Sequence, residues 1–201
     1  MSKTNLLEWR MDMCGRYNVD FEANKELKKI LGDLNKKYPG NQIKQGEVFP
    51  TNEAAIMVGE QEEVVNERSI WGFPQYTGKG VIINARSETV YEKKTFRQSM
   101  SSRRCVVPTS GFYEWDKEKN KYLFQEEENG VLYLGGLYQF YNEISRFVIL
   151  TREANASMEP IHHRMPIILR EDQIKSWLLE QEVANTILTM VPGQLMRVKT
   201  N

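Results

Sequence analysis

The chain has 201 residues, 40% of them hydrophobic and 10% aromatic, enough to bury the core of one domain or, at most, of two small ones. Lysine plus arginine and aspartate plus glutamate balance at 27 each, so no global basic field advertises a polyanionic partner, and any nucleic-acid surface must be a local patch. Cys14 and Cys105 are the only cysteines; the absence of a CxxC pair or a Cys/His cluster at zinc-ligand spacing argues for a reducing compartment and against a structural metal.

In chain order, the opening twelve residues, MSKTNLLEWRMD, contain a two-leucine apolar island and two acidic residues. That falls short of a signal-peptide core, and no later stretch approaches ~18 apolar residues. The expectation is a soluble cytoplasmic protein without a membrane partner. From Asp20 to Tyr38 the apolar positions Leu27, Leu31, Leu34 and Tyr38 recur at helical spacing, with Asp20 as N-cap and Pro39-Gly40 as stop. Short β-rich runs follow: AAIMVG, RSIWGF, GVIINAR, RCVVPTSGFYEW, KYLFQ, VLYLGGLYQF, RFVILT and MPIIL. A short helix is expected around Phe96, another at Ile174, Trp177 and Leu178, and a last strand at QLMRVK. No repeat or linker divides the chain. The expected class is α+β, a single domain with a large mixed or antiparallel, barrel-like sheet system and peripheral helices.

Four segments place polar or reactive groups where a strand-rich core calls for apolar ones. IINARSET puts Asn84, Arg86 and Glu88 on one strand face, and a buried asparagine beside an arginine needs partners. PTSGFYEW sets Glu114 between Tyr113 and Trp115, surroundings that raise a carboxyl pKa towards acid–base use. PIHHRMP holds both histidines of the chain, followed by Arg164, and MCGRY supplies the Cys14 thiol. Each also has a plainer role: Asn84 could cap a turn, Glu114 could point outwards from its strand, His162 and His163 could be solvated, and Cys105 fits a small buried apolar residue.

Together and in this order, Cys14-Gly15-Arg16-Tyr17, Trp71-Gly72, Asn84-Ala85-Arg86-Ser87-Glu88, Gly111-Phe112-Tyr113-Glu114-Trp115 and Ile161-His162-His163-Arg164-Met165-Pro166 resemble the SRAP (SOS response-associated peptidase) family of abasic-site processing proteins. The resemblance runs from Met13 to the C-terminus. It implies a domain over residues 13–201, with residues 1–12 an extension or alternative start. It further implies a sensor of abasic sites in single-stranded DNA that shields the lesion through a covalent link from an N-terminal cysteine, with lyase-like and autopeptidase activity. By that resemblance Cys14, Asn84, Glu114 and His162 are catalytic, while Gly15, Arg16, Pro50, Trp71, Arg86, Thr151 and Arg164 bind DNA. Arg103 and Arg104 could join the same basic patch. No cofactor or metal is implied, the partner is single-stranded DNA bearing abasic sites, and the expected state is a monomer, nucleoid-associated when DNA-bound. A cysteine-dependent peptidase and a noncovalent single-strand binding module are the alternatives.

The residue types suit that chemistry. A free cysteine terminus presents an amine and a thiol on one residue: the amine forms an imine with the sugar aldehyde, and the thiol closes a thiazolidine ring. With a reference pKa of about 7.7–8.0 against about 10.4 for lysine, roughly a third of an α-amine is unprotonated at pH about 7.5, against roughly 0.1% of a lysine. The same chemistry requires Met13 and everything before it to be absent from the working form.

Overall fold

The computed structural model describes residues 15–40, 43–127 and 130–200. Helix α1 (Lys25–Lys37) buries Leu27, Ile30 and Leu34 on one face. Its N-cap is Asn24, whose side-chain oxygen accepts from the N–H groups of Glu26 and Leu27 at 2.8 and 3.4 Å. The expected cap, Asp20, instead closes a separate turn by accepting from Glu22 and Ala23. Both residue types satisfy orphan N–H groups, and the one nearer the periodic run takes the helix.

The strands build two sheet systems. In the larger, β3 (Glu53–Glu60), β4 (Glu63–Trp71), β8 (Arg104–Thr109), β11 (Leu132–Tyr141) and β12 (Ile144–Glu153) pair in the closed cycle β12–β4–β3–β8–β11–β12. All neighbours are antiparallel except β12 and β4. Closure removes the exposed sheet edges. Two hairpins supply four of the five strands, and both use two-residue turns with positive φ: Gln61 and Glu62 at 48° and 67°, Asn142 and Glu143 at 49° and 67°. That turn geometry matches the right-handed twist of the strands it joins. Short strands β7 (Asn84–Arg86) and β13 (Arg164–Pro166) flank the C-terminal half of β12, and β14 (Ile168–Leu169) flanks β11. A two-stranded ribbon, β5 (Phe73–Pro74) with β6 (Val81–Ile82), leads into β7.

The second sheet has the order β15 (Met196–Thr200), β10 (Lys121–Gln125), β9 (Gly111–Trp115), β1 (Tyr17–Val19), β2 (Gly46–Val48). The chain passes from barrel to second sheet at Ser110, so the expected single run RCVVPTSGFYEW is two strands. At Gly111, φ is 156° and an added Cβ would lie 2.6 Å from the Phe124 carbonyl oxygen, so β10 can pack against the corner only if the residue is glycine. Thr109, fully buried, fixes the same corner: its hydroxyl accepts from the Gly111 N–H at 3.0 Å and donates to the Asn18 carbonyl at 2.6 Å.

Helices α2 (Lys94–Ser102), α3 (Ile174–Leu179) and α4 (Gln181–Thr189) pack outside the barrel. Arg104 does not join a basic surface patch. It is 5% exposed, and its guanidinium donates to the carbonyls of Met100, Trp177 and Leu178 at 2.8, 2.5 and 3.1 Å, satisfying the C-terminal ends of α2 and α3. The architecture is the α+β, barrel-like single domain anticipated above. Tyr17, Trp71, Phe73, Phe112, Phe124 and Phe147 are fully buried in one core, and Tyr17 on Trp71, with ring centres 5.1 Å apart, joins the second sheet to the barrel.

Candidate active site

Strand alternation decides which way each candidate faces. On β9, Phe112 pairs with Tyr17 and is fully buried, so Glu114, two residues on, belongs to the same inward face and is 5% exposed. A carboxylate thus interrupts an apolar face, in place of an outward strand residue. The β1–β9 register, held by the Tyr113 N–H donating to the Arg16 carbonyl at 2.9 Å, continues to set Gly15 opposite Glu114. Gly15 in turn lies against the barrel: a Cβ there would be 4.0 Å from Ile83 Cδ1, immediately before Asn84.

Asn84 is held by β12, whose Ile149 N–H donates to the Ile83 carbonyl at 3.0 Å. The same pairing sets Asn84 beside Ile149 and Arg86 beside Thr151, and β13 sets Pro166 on the other side of Thr151. His162 enters through β13. The Arg164 N–H donates to His162 Nδ1 at 3.1 Å, and the Arg164 carbonyl lies 3.4 Å from the same nitrogen. Nδ1 therefore meets a donor when bare and an acceptor when protonated, so either state finds a partner on one residue. His163 is exposed, with its ring centred 4.5 Å from that of His162. Gly15 and Glu114 are thus set opposite one another on the second sheet, Asn84 and the β13 segment that follows His162 both flank β12 of the barrel, and Gly15 meets the barrel system at Ile83. Cys14, Met13 and the residues before them lie outside the described residues.

The DNA-binding assignments divide. Arg86 is exposed and Pro50 half-buried, whereas Trp71 and Thr151 are 0% and 2% exposed. Trp71 packs on Tyr17 and Phe147 and donates from Nε1 to the Ile83 carbonyl at 3.1 Å; it offers no face to a base. Its backbone instead anchors the turn carrying Pro50. Thr51 N–H donates to the Trp71 carbonyl at 2.8 Å, and Trp71 N–H to the Asn52 carbonyl at 3.0 Å. Within that turn Thr51 has φ 74°, a strained conformation for a β-branched residue. Thr151 is likewise internal, accepting from Arg164 Nη2 at 3.3 Å. Arg164 is 8% exposed and forked on Glu88, Nη1 to Oε1 at 2.6 Å and Nη2 to Oε2 at 2.8 Å. Hydrogen bonding to Arg164 is the main reason the Glu88 carboxyl is held below its ordinary pKa.

Phe49 and Trp115, which the sequence reading did not assign to the site, flank the assigned Arg16. Arg16 lies between aromatic rings, 4.3 Å from the centre of Phe49 and 5.1 Å from that of Trp115, and pairs with Glu47 at 3.0 Å. Phe49 is 39% exposed, so the outward face of the second sheet carries an open aromatic–cation stack beside Pro50 and Gly15. Nothing in the pattern around Phe49 signals this, because it depends on β1, β2 and β9 lying side by side. Cys105 is fully buried and burial pushes its thiol pKa up, which excludes it as a ready nucleophile. Among the described residues no group of three or more His, Cys, Asp or Glu side chains could hold a metal ion.

The family model for SOS response associated peptidase (SRAP) matches residues 13–200. The chain belongs to the SRAP family. It is 28% identical over 181 residues to the abasic site processing protein YoaM of Bacillus subtilis, covering 83% of this chain and 79% of YoaM. It is 37% identical over 106 residues to the abasic site processing protein YoqW of the same organism, spanning 48% of this chain and 47% of that one. A Bacteroides thetaiotaomicron protein of known crystal structure superposes with a TM-score of 0.78 at 20% identity, over 94% of this chain and 92% of that one. The SRAP fold accounts for the joined barrel and second sheet.

Proposed function

We propose that this SRAP protein recognises abasic sites in single-stranded DNA and links to them covalently through Cys14, once Met13 and the residues before it are gone. The observation that carries this reading is the position of Gly15, against Ile83 beside Asn84 and just before strand β1, whose register with β9 extends to Glu114. Gly15 is the residue that follows Cys14 in the chain. The abasic-site names of YoaM and YoqW indicate the same substrate.

The reaction balances as loss of one water. The amine attacks the ring-opened aldehyde and expels water as the imine forms; the thiol then adds across the C=N bond, sulfur to carbon and proton to nitrogen. Glu114 delivers the proton that opens the sugar ring, and His162 exchanges protons during imine formation. Asn84 orients the amine or the sugar hydroxyls. Arg16, Phe49 and Trp115 supply a stacking and phosphate platform, with each stacked base worth about 1–3 kcal/mol.

Intact mass measurement of the Cys14-initiated protein, after incubation with an abasic single strand, tests this. The expected product has the combined mass less one water, survives heat and detergent, and is absent with an intact strand. Recovery of the same adduct from Cys14→Ala would overturn the chemistry. Binding of the strand by the Cys14-initiated protein without an adduct would favour the noncovalent alternative, and removal of residues 1–13 from the 201-residue chain, with no adduct from the product, the peptidase one.

A further inference from the structure

Strand β7 of the candidate site pairs with β12 at Ile149, Leu150 and Thr151. Ser145 lies four to six residues earlier on the same strand, roughly 13–20 Å away at about 3.3 Å per residue, and there the β11–β12 hairpin and the β3–β4 ribbon bound an open cleft of about 740 Å³. Ligand sites usually measure about 300–1,000 Å³. Ile56 and Ser69 in its lining are 0% and 2% exposed, and Ser69 Oγ is hydrogen-bonded to Ser145 Oγ at 2.9 Å, so the innermost hydroxyls satisfy each other. Tyr138 and Phe140, on one face of β11, meet edge to face with ring centres 6.0 Å apart. Phe140 is 56% exposed and Ile144 47%. Apolar surface gathered in a concave site is what an interaction site offers.

The charges of the cleft select the occupant. Glu53, Glu60, Glu67 and Glu143 line it, with Arg68 the one cation among its described lining residues. Arg68 is committed, pairing with Glu53 at 3.4 Å and lying 4.5 Å from the centre of the Tyr38 ring. Glu67 is likewise held, by Lys37 and by the Tyr38 hydroxyl. The exposed carboxylates of Glu60 and Glu143, at the turn ends of the two hairpins, have neither hydrogen bond nor ion pair among the described residues, and the Tyr138 hydroxyl has no hydrogen bond there either. Two uncompensated carboxylates beside an open aromatic pair repel a phosphate backbone and attract a cation, which also gains from the negative faces of the rings.

We propose that this cleft docks a partner protein through a short basic segment, a lysine or arginine meeting Glu60, Glu143 and the Tyr138–Phe140 pair while a neighbouring aliphatic side chain covers Ile144 and Phe140. Because the cleft lies along β12 from the candidate active site, a segment seated in it leaves that site open. The partner is thereby held beside whatever the other end of the barrel has bound. The inference goes beyond the proposed cross-linking and does not depend on it.

The test is fluorescence anisotropy of a dye-labelled hexapeptide of alternating lysine and leucine, titrated with the 201-residue protein in the absence of DNA. Two control peptides replace every lysine by glutamate or every leucine by alanine, and both are expected to bind more weakly than the parent. The parent peptide is expected to lose roughly fivefold in affinity to a protein carrying both Glu60→Gln and Glu143→Gln, and about two- to fivefold to Phe140→Ala. Glu182→Gln, an exposed glutamate on α4, is expected to change it less. All these side chains are exposed, and melting temperatures check that each variant is folded. The docking surface is overturned if the parent peptide fails to saturate below about 1 mM, if the glutamate peptide binds as well, or if the cleft variants lose no more than Glu182→Gln. A concentration-dependent dimer in sedimentation that Phe140→Ala abolishes would give the cleft to a second copy of the chain and equally overturn it. Cross-linking to abasic DNA is expected to be unchanged in Phe140→Ala; its absence from the unmutated protein as well would overturn the proposed chemistry and leave the docking surface standing.

Discussion

At the scale of single residues the proposed chemistry depends on two groups whose surroundings differ. Glu114 is nearly enclosed on an inward strand face, while His162 stands at the end of a loop with Nδ1 committed to Arg164. Glu114→Gln preserves volume and removes only the exchangeable proton, and His162→Ala removes the imidazole. Each is expected to slow cross-linking by roughly 10²–10⁴-fold while leaving affinity for an intact strand almost unchanged. Single-turnover time courses on denaturing gels measure the first quantity and equilibrium titration the second. Unaltered rates in both variants would remove acid–base catalysis from the account. Motif matching singled these residues out because each letter stands for a functional group. It carried Trp71 and Thr151 less well. The letters match, but whether a side chain faces a ligand or a core depends on neighbouring strands, and here Phe147, Tyr17 and Arg164 enclose them.

At the scale of elements, periodicity was legible where an element is long and one-faced. Helix α1 follows from the spacing of Leu27, Leu31 and Leu34, and KYLFQ is strand β10 residue for residue. Strands β1 and β2, with three residues each, are too short to show alternation; β1 exists because it pairs between β9 and β2, and β2 because it pairs with β1. Helix α4 escaped notice because only Ala184 and Ile187 are buried, too few for a stripe. Arg104 shows the same limit from the energetic side. In sequence it is half of a charged doublet; in the fold it joins the ends of α2 and α3. Arg104→Met keeps much of the buried length but leaves the carbonyls of Met100, Trp177 and Leu178 without that donor. The expected loss is about 2–4 kcal/mol, since several buried acceptors lose a charged partner together. Urea denaturation reads it directly. A change within about 0.5 kcal/mol, the range of an ordinary surface substitution, would show that the carbonyls find other partners.

At the scale of the whole molecule, the proposed chemistry has a chain with no net charge draw its selectivity from a bond rather than from a field, so under that proposal the state of the Cys14 nitrogen decides what the protein can do. In the 201-residue chain thirteen residues precede Cys14, and its nitrogen is an amide, whose lone pair is delocalised into the carbonyl and cannot form an imine. The thiol alone gives a hemithioacetal, which falls apart on denaturation. The long form is therefore expected to yield no heat-stable adduct with abasic DNA, and the form starting at Cys14 to yield one. Following the intact mass of the long form over days, beside its Glu114→Gln variant, separates the routes to the short form. Loss of the first thirteen residues in the unmutated protein alone assigns the cleavage to the same site. A constant mass in both leaves the short form to be made by initiation at Met13 and trimming of that methionine. A constant full-length mass together with strong cross-linking would overturn the requirement for a free Cys14 amine, and with it the thiazolidine, because no other residue brings an unprotonated amine and a thiol to the same carbon.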